Sequence, residues 1–121
     1  MIFATRKEND MKKNMKEITS IEEFEEVYQK EGVHIFTFSA DWCADCRFIE
    51  TFIPALIQKY SKYHFYYLDR DRLMPICQRL MIMGIPSFVA IKDGKEIGRF
   101  VSKLRKTEDQ IDQFLESLQS H

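Results

Sequence analysis

The chain has 121 residues, of which 45% are hydrophobic, 31% charged and 13% aromatic, the profile of one globular domain able to build a core without disulfide staples. Eighteen basic against nineteen acidic side chains leave a net charge of −1, which removes the electrostatic footprint a nucleic-acid binder needs. Four glycines, three prolines and three cysteines exclude collagen-like, low-complexity and disulfide-scaffold classes.

The first sixteen residues carry five basic groups and two acidic ones with no sustained apolar period. Residues 1–14 therefore read as a flexible arm, and 15–121 as the folded domain. Ser20-Ile21-Glu22-Glu23 is a capping-box pattern that opens a helix with Ile21, Phe24, Val27 and Tyr28 on one face and Gly32 as its stop. Val33 to Ser39 is apolar and partly β-branched, which predicts a buried strand. A long helix is expected from about Cys43 to Tyr60, with Phe48, Phe52, Leu56 and Tyr60 at intervals of four and a kink at Pro54. His64 to Asp69 reads as a second strand, and Pro75 as a first-turn residue of a helix reaching about Met83. Ser87 to Ile91 and Glu96 to Val101 flank Lys92-Asp93-Gly94-Lys95, a two-residue hairpin signal. A last helix opens at Thr107 with Ile111, Phe114, Leu115 and Leu118 on one face.

Two strands joined by a helix should be parallel, while the hairpin adds antiparallel strands to the same sheet. The fold class is thus α/β, a mixed central sheet with helices on both faces. The longest uncharged stretch in the apolar part of the chain, Leu80 to Ile91, is broken by Gly84 and Pro86 and too short to span a bilayer. The N-terminus has no apolar run of signal-peptide length, so the expected address is the cytoplasm, where thiols stay reduced, with no membrane and no nucleic acid as partner.

The segment that carries chemistry is Ser39-Ala40-Asp41-Trp42-Cys43-Ala44-Asp45-Cys46-Arg47. Two cysteines separated by two residues lie between an apolar strand and a helix. The first sits near the unpaired N–H groups of the helix's first turn, where partial positive charge stabilises a thiolate. The second lies within reach of a disulfide with it, so one thiol attacks a substrate disulfide and the other resolves the product. Spacing, helix onset and compartment favour a redox pair over a structural bond.

In this segment the chain resembles the thioredoxin family. Phe38 to Cys46, including Trp42 before the first cysteine, looks like the family's strand-to-active-site segment. Gly84-Ile85-Pro86-Ser87 looks like its cis-proline loop, forty residues past Cys46, and Lys92-Asp93-Gly94-Lys95 matches its β-turn. The resemblance runs from Met15 to the C-terminus and implies a thioredoxin-like fold and a disulfide reductase. It makes Cys43 the attacking thiol and Cys46 the resolving one, with Trp42 shaping the rim. Pro86 lies against the pair, and the backbone of Ile85 is left free to meet an extended substrate chain. Implied partners are disulfide-containing protein substrates and a thioredoxin-reductase-type electron donor. The implied state is a monomer, with no cofactor and no metal.

The departures bear on tuning. Thr37 stands where the family carries a buried aspartate that helps deprotonate the resolving thiol, and Tyr67 where it carries the partner lysine. Ala44 and Asp45 replace glycine and proline. Asp45 places negative charge beside the thiols and should oppose thiolate formation, with Arg47 offsetting part of it. Other readings stand beside this one. The pair could be buried and inert, part of a non-catalytic binding module, a redox sensor that meets oxidant at Cys43, or half of a zinc site completed from Cys77, His34 and His64. Cys77 reads as a core residue, His34 as a strand histidine satisfied by its neighbours, and Asp41 as a turn residue or an electrostatic tuner.

Overall fold

Residues 10–121 are described by the computed structural model. Their elements are α1 (Asp10–Asn14), β1 (Lys16–Ile18), α2 (Ile21–Tyr28), β2 (Val33–Ser39), α3 (Ala44–Glu50), α4 (Ile53–Lys59), β3 (His64–Asp69), α5 (Met74–Arg79), β4 (Ser87–Lys92), β5 (Lys95–Phe100) and α6 (Glu108–Ser117), with a closing 3-10 turn at Leu118–Ser120. The strands form one sheet in the order β1-β3-β2-β4-β5. β3 runs parallel to both β1 and β2, while β4 is antiparallel to β2 and β5 to β4. This is the mixed sheet that the chain order requires.

Strand alternation divides the core in two. Ile35, Phe65, Tyr67, Phe88 and Ala90 face a layer supplied by Met11 of α1, Ile49 of α3, Ile53 and Leu56 of α4, and Ile111 and Leu115 of α6. Phe36, Phe38, Tyr66, Leu68, Val89 and Ile91 face the opposite way, onto Phe24 and Val27 of α2 and Ile76 of α5. Both faces of the three central strands are therefore covered, which is why they read as nearly continuous apolar runs. Each fully buried Phe or Ile contributes about 1.5–3 kcal/mol, so the two layers are the main source of stability.

Four elements differ from expectation. The arm was expected to run through residue 14, yet residues 10–14 form α1 and Met11 is fully buried in the core; residues 1–9 lie outside the described range. β1 was not anticipated, because three residues are too short to show an alternation. The long kinked helix is two helices. Pro54 has no N–H to return to Glu50, so the ladder stops at Thr51 and Phe52, and the proline sits in the first turn of α4 instead. Finally, α5 stops at Arg79 rather than near Met83. Met81 takes a left-handed backbone (φ 57°) and the Ile82 N–H returns to the Cys77 carbonyl at 2.9 Å, closing the helix without a glycine.

Other signals read cleanly. Ser20 accepts from the Glu23 N–H at 3.1 Å, and the Glu23 carboxylate reaches back to the Thr19 N–H. Thr107 and Gln110 form a complete capping box. Asp93 and Gly94 both have positive φ, the geometry a two-residue hairpin with the strands' twist demands.

Candidate active site

β2 and β3 end on the same side of the sheet, and the chain leaving β2 turns at Asp41–Trp42 before entering α3. Cys43 is the N-cap of α3, extended at φ −84° and ψ 115°, so its side chain projects over the helix's first turn. The Cys46 N–H donates to Cys43 Sγ at 3.2 Å, and the Cys43 thiol in turn meets the Ile85 carbonyl at 3.8 Å. Both cysteines are free thiols. Cys43 shows 6% of its surface and Cys46 1%, so the outer thiol is the one a substrate reaches first.

The second wall comes from the loop before β4. The Ile85–Pro86 peptide bond is cis. Trp42, Cys43, Ala44, Asp45, Arg70, Gly84, Ile85 and Lys103 together line an open groove of about 370 Å³. Trp42 is 58% exposed on its rim, fixed by its indole N–H donating to Asp71 at 2.6 Å and by the Arg70 guanidinium 5.4 Å from its ring. A larger cleft of about 610 Å³, lined by Gly32, Tyr60 and Leu118, lies at the opposite end of β2 and contains no thiol.

Beneath the thiols the surroundings are poor in proton acceptors. Thr37 is fully buried, paired in register with Tyr67 on one side and Phe88 on the other, on the sheet face that α3 covers. The Thr37 hydroxyl oxygen has no hydrogen-bond partner among the described residues. Burial pushes the Cys46 thiol up to about 12, and Cys43 adds to it. Burial also raises Tyr67 above the ordinary phenol range, while the Ser39 hydroxyl draws both the Cys46 thiol and the Tyr67 phenol downward.

The charge around Asp45 differs from the expected arrangement. Arg47 turns away and donates to the Asp41 carbonyl at 2.9 and 3.1 Å. Asp45 is met instead by Arg105, from the segment before α6, at 2.8 Å. Arg105 also covers the Phe48 ring at 4.5 Å. Neither Arg105 nor its neighbour Lys106 was singled out in the sequence, since the contacts cross sixty residues. Asp41, the other acid of the turn, lies 3.9 Å from the Lys12 ammonium.

The remaining candidates lie apart. Cys77 is in the second core layer on α5, where its thiol meets the Arg70 carbonyl at 3.8 Å and burial raises it to about 11. His34 stacks on His64 at the far end of β2 and β3. Among the described residues no three His, Cys, Asp or Glu side chains are grouped to hold a metal ion, and no helix is long and apolar enough to cross a membrane.

A helix-capping thiol pair at the carboxyl end of a parallel strand pair, walled by a proline loop entering an antiparallel hairpin, is a thioredoxin-fold arrangement. The solved structure of thioredoxin from Trypanosoma brucei brucei superposes on 98% of this chain and all of its own, with a TM-score of 0.79 at 18% identity. The family model described as thioredoxin matches residues 14–117. Thioredoxin AMT13 of Alternaria alternata is 34% identical over 101 residues, covering 82% of this chain and 86% of its own length. Thioredoxin H2 of Arabidopsis thaliana is 36% identical over 78 residues, 64% of this chain, and the match spans 59% of that relative's length. The chain belongs to the thioredoxin family.

Proposed function

We propose that the chain is a thiol–disulfide oxidoreductase that reduces disulfides by two successive exchanges. Cys43 attacks one sulfur of a substrate disulfide; the S–S bond breaks, a Cys43–substrate disulfide forms, and the first substrate thiolate leaves. Cys46 then attacks Cys43 Sγ, the mixed disulfide breaks, and the second substrate thiolate leaves with a Cys43–Cys46 disulfide behind it. The substrate gains two electrons and the dithiol loses them. The observation that carries this reading is the 3.2 Å approach of the Cys46 N–H to Cys43 Sγ at the start of α3, because it sets the helix's positive end on the outer sulfur and the inner one beside it.

Trp42 and Ile85 line the groove beside the outer thiol and, with Pro86 joined to Ile85 by the cis bond, are the proposed substrate contacts. The Ile85 backbone faces the groove, where an extended chain from a protein disulfide pairs with it. A thioredoxin-reductase-type donor returns the electrons, and a monomer acting in the reducing cytoplasm suits the direction. The test is a pair of trapping variants. Cys46→Ser is expected to accumulate mixed disulfides on Cys43, since attack survives and resolution does not, while Cys43→Ser traps nothing; mass spectrometry of non-reduced adducts reads both. Equal trapping by the two would overturn the assignment of roles.

A further inference from the structure

The segment between β5 and α6 contains Lys103, Arg105 and Lys106, of which two are exposed and one is not. Lys106 shows 1% of its surface. An ammonium taken out of water needs compensation. Its Nζ donates to the Ser102 carbonyl at 3.1 Å and the Leu104 carbonyl at 3.5 Å, and lies 5.1 Å from the centre of the Phe100 ring. These partners are dipoles and a ring face, none carries a formal charge, and an ammonium has three hydrogens to place. Burial lowers the Lys106 pKa, and Cys46 first, then Asp45 and Cys43, draw it back up. Of these three, Asp45 already has Arg105.

The lysine is held in place from two sides. The Ser102 carbonyl that accepts its proton packs on Gly84 so tightly that a Cβ there would lie 2.3 Å from the oxygen. Gly84 leads directly into Ile85, whose carbonyl meets the Cys43 thiol. On the other side the adjacent residue, Arg105, is clamped to Asp45 within the first turn of α3.

We propose that Lys106 is a positioning residue of the exchange reaction: a buried ammonium, wedged between the proline loop and the start of α3, that neutralises the thiolate Cys46 must carry to resolve the mixed disulfide. The proposal rests on the two-thiol reading above and supplies what the sheet side lacks, for Thr37 cannot take a proton and Tyr67 gives none up near neutral pH. Lys106 touches no reacting atom and acts through Cys46. The other charged or titratable groups of this region are Cys43, Asp45 and Arg47 at the start of α3, Tyr67 on β3 with Asp69, Asp41 and Lys12 near its ring, and Arg70, Lys103 and Arg105 toward the groove. Arg47, Asp45 and Arg105 are engaged as described, and Lys12 lies 5.2 Å from the Tyr67 ring centre.

The test is stopped-flow reaction of the reduced full-length protein with substoichiometric 5,5′-dithiobis(2-nitrobenzoate), which releases one coloured thiolate on attack by Cys43 and a second on resolution by Cys46. Lys106→Gln keeps a donor for the Ser102 carbonyl and removes the charge. It is expected to slow the second release about tenfold at neutral pH and to move that phase's pH profile up by about one unit, since an opposite charge at short range shifts a pKa by one unit or more. Lys106→Arg restores the charge and should recover most of the rate. An unchanged second phase in Lys106→Gln overturns the proposal, as does equal slowing by Gln and Arg, which marks a packing role. Absence of any second release in the wild-type protein instead overturns the two-thiol reading itself. A measurement without substitution guards against misfolding. The Lys106 13Cε resonance should show a titration step shared with Cys46 in the reduced protein and lost in the disulfide form; identical curves in the two forms refute the coupling.

Discussion

Thr37 is a polar side chain with no exposed surface and, among the described residues, no partner for its Oγ1, between Tyr67 and Phe88. A buried hydroxyl without a hydrogen bond loses its solvation and regains nothing, so replacing it by an apolar group of the same shape costs little. Thr37→Val is therefore expected to leave stability within about 1 kcal/mol of wild type or to raise it. It should also leave the pH dependence of thiol exchange in place, which urea titrations and a pH–rate series check. A shifted profile would show that the hydroxyl serves Cys46 after all. Residues of the site were legible in proportion to how local their chemistry is. Cys43 and Cys46 announce themselves by spacing, and Trp42, Ile85 and Pro86 by the short segments around them. Arg105 and Lys106 do not, because in a run of three basic residues within four positions nothing shows which one turns inward. Arg47 stands one residue from Cys46 and was the natural partner for Asp45, yet the helix turn points it at the Asp41 carbonyl.

At the scale of elements, strands and caps were readable wherever the pattern outlasted its noise. β2, β3 and the hairpin carry five or more residues of apolar or turn-specific sequence, whereas β1 has three and borrows its conformation from β3. The division of the long helix into α3 and α4 was half visible: proline forbids one hydrogen bond, but whether a helix bends or stops there depends on what packs around it. Here Phe48 and Phe52 meet edge-on at 5.7 Å across the break. Contacts between loops were wholly invisible, and Gly84 is the sharpest case. Its missing side chain lets the Ser102 carbonyl approach from eighteen residues ahead, which locks the covering segment onto the proline loop. Gly84→Ala is expected to cost about 1–3 kcal/mol, as overpacking against backbone does, and to slow exchange at both thiols. Gly94→Ala offers the contrast. Its strain comes from a positive φ of 78°, with only an ordinary contact to the Gln29 side chain at 3.7 Å, at the far end of β4 from the cysteines, so it should cost about 1 kcal/mol and leave exchange rates unchanged. Denaturant midpoints and dithiobis-nitrobenzoate kinetics on the two variants separate the effects.

For the whole molecule the most informative variable is pH, because one buried histidine and several paired carboxylates titrate in different windows. His34 is 2% exposed at the start of β2. Its Nε2 lies 2.8 Å from the Glu31 carbonyl, which can only accept, so that nitrogen carries the hydrogen and Nδ1 accepts from the Tyr66 hydroxyl at 3.0 Å. The ring is thus satisfied as the neutral form. Burial lowers its pKa first of all; the neighbouring His64 and Lys30 charges lower it further, while the Glu31 carbonyl opposes them. A histidine whose folded pKa lies below its unfolded one contributes its full stability above about pH 6.5, where both states are neutral. As pH falls below that value the unfolded chain takes up a proton that the folded protein refuses, and stability declines by up to about 1.4 kcal/mol per pH unit until the folded pKa is passed. Glu25 and Glu96, lowered by Arg79 and Arg99, and Asp112, lowered by Tyr60 and Lys59, follow in a separate window below about pH 4.5. Urea midpoints measured from pH 8 to 3 should therefore be level above neutrality, begin to fall below about pH 6.5, and fall again in acid. His34→Gln should lower the plateau, because its amide cannot span both partners, and should abolish the first decline while keeping the second. If the first decline survives in His34→Gln, the proton is taken up elsewhere and the neutral ring at the base of β2 is not what ties this fold's stability to pH.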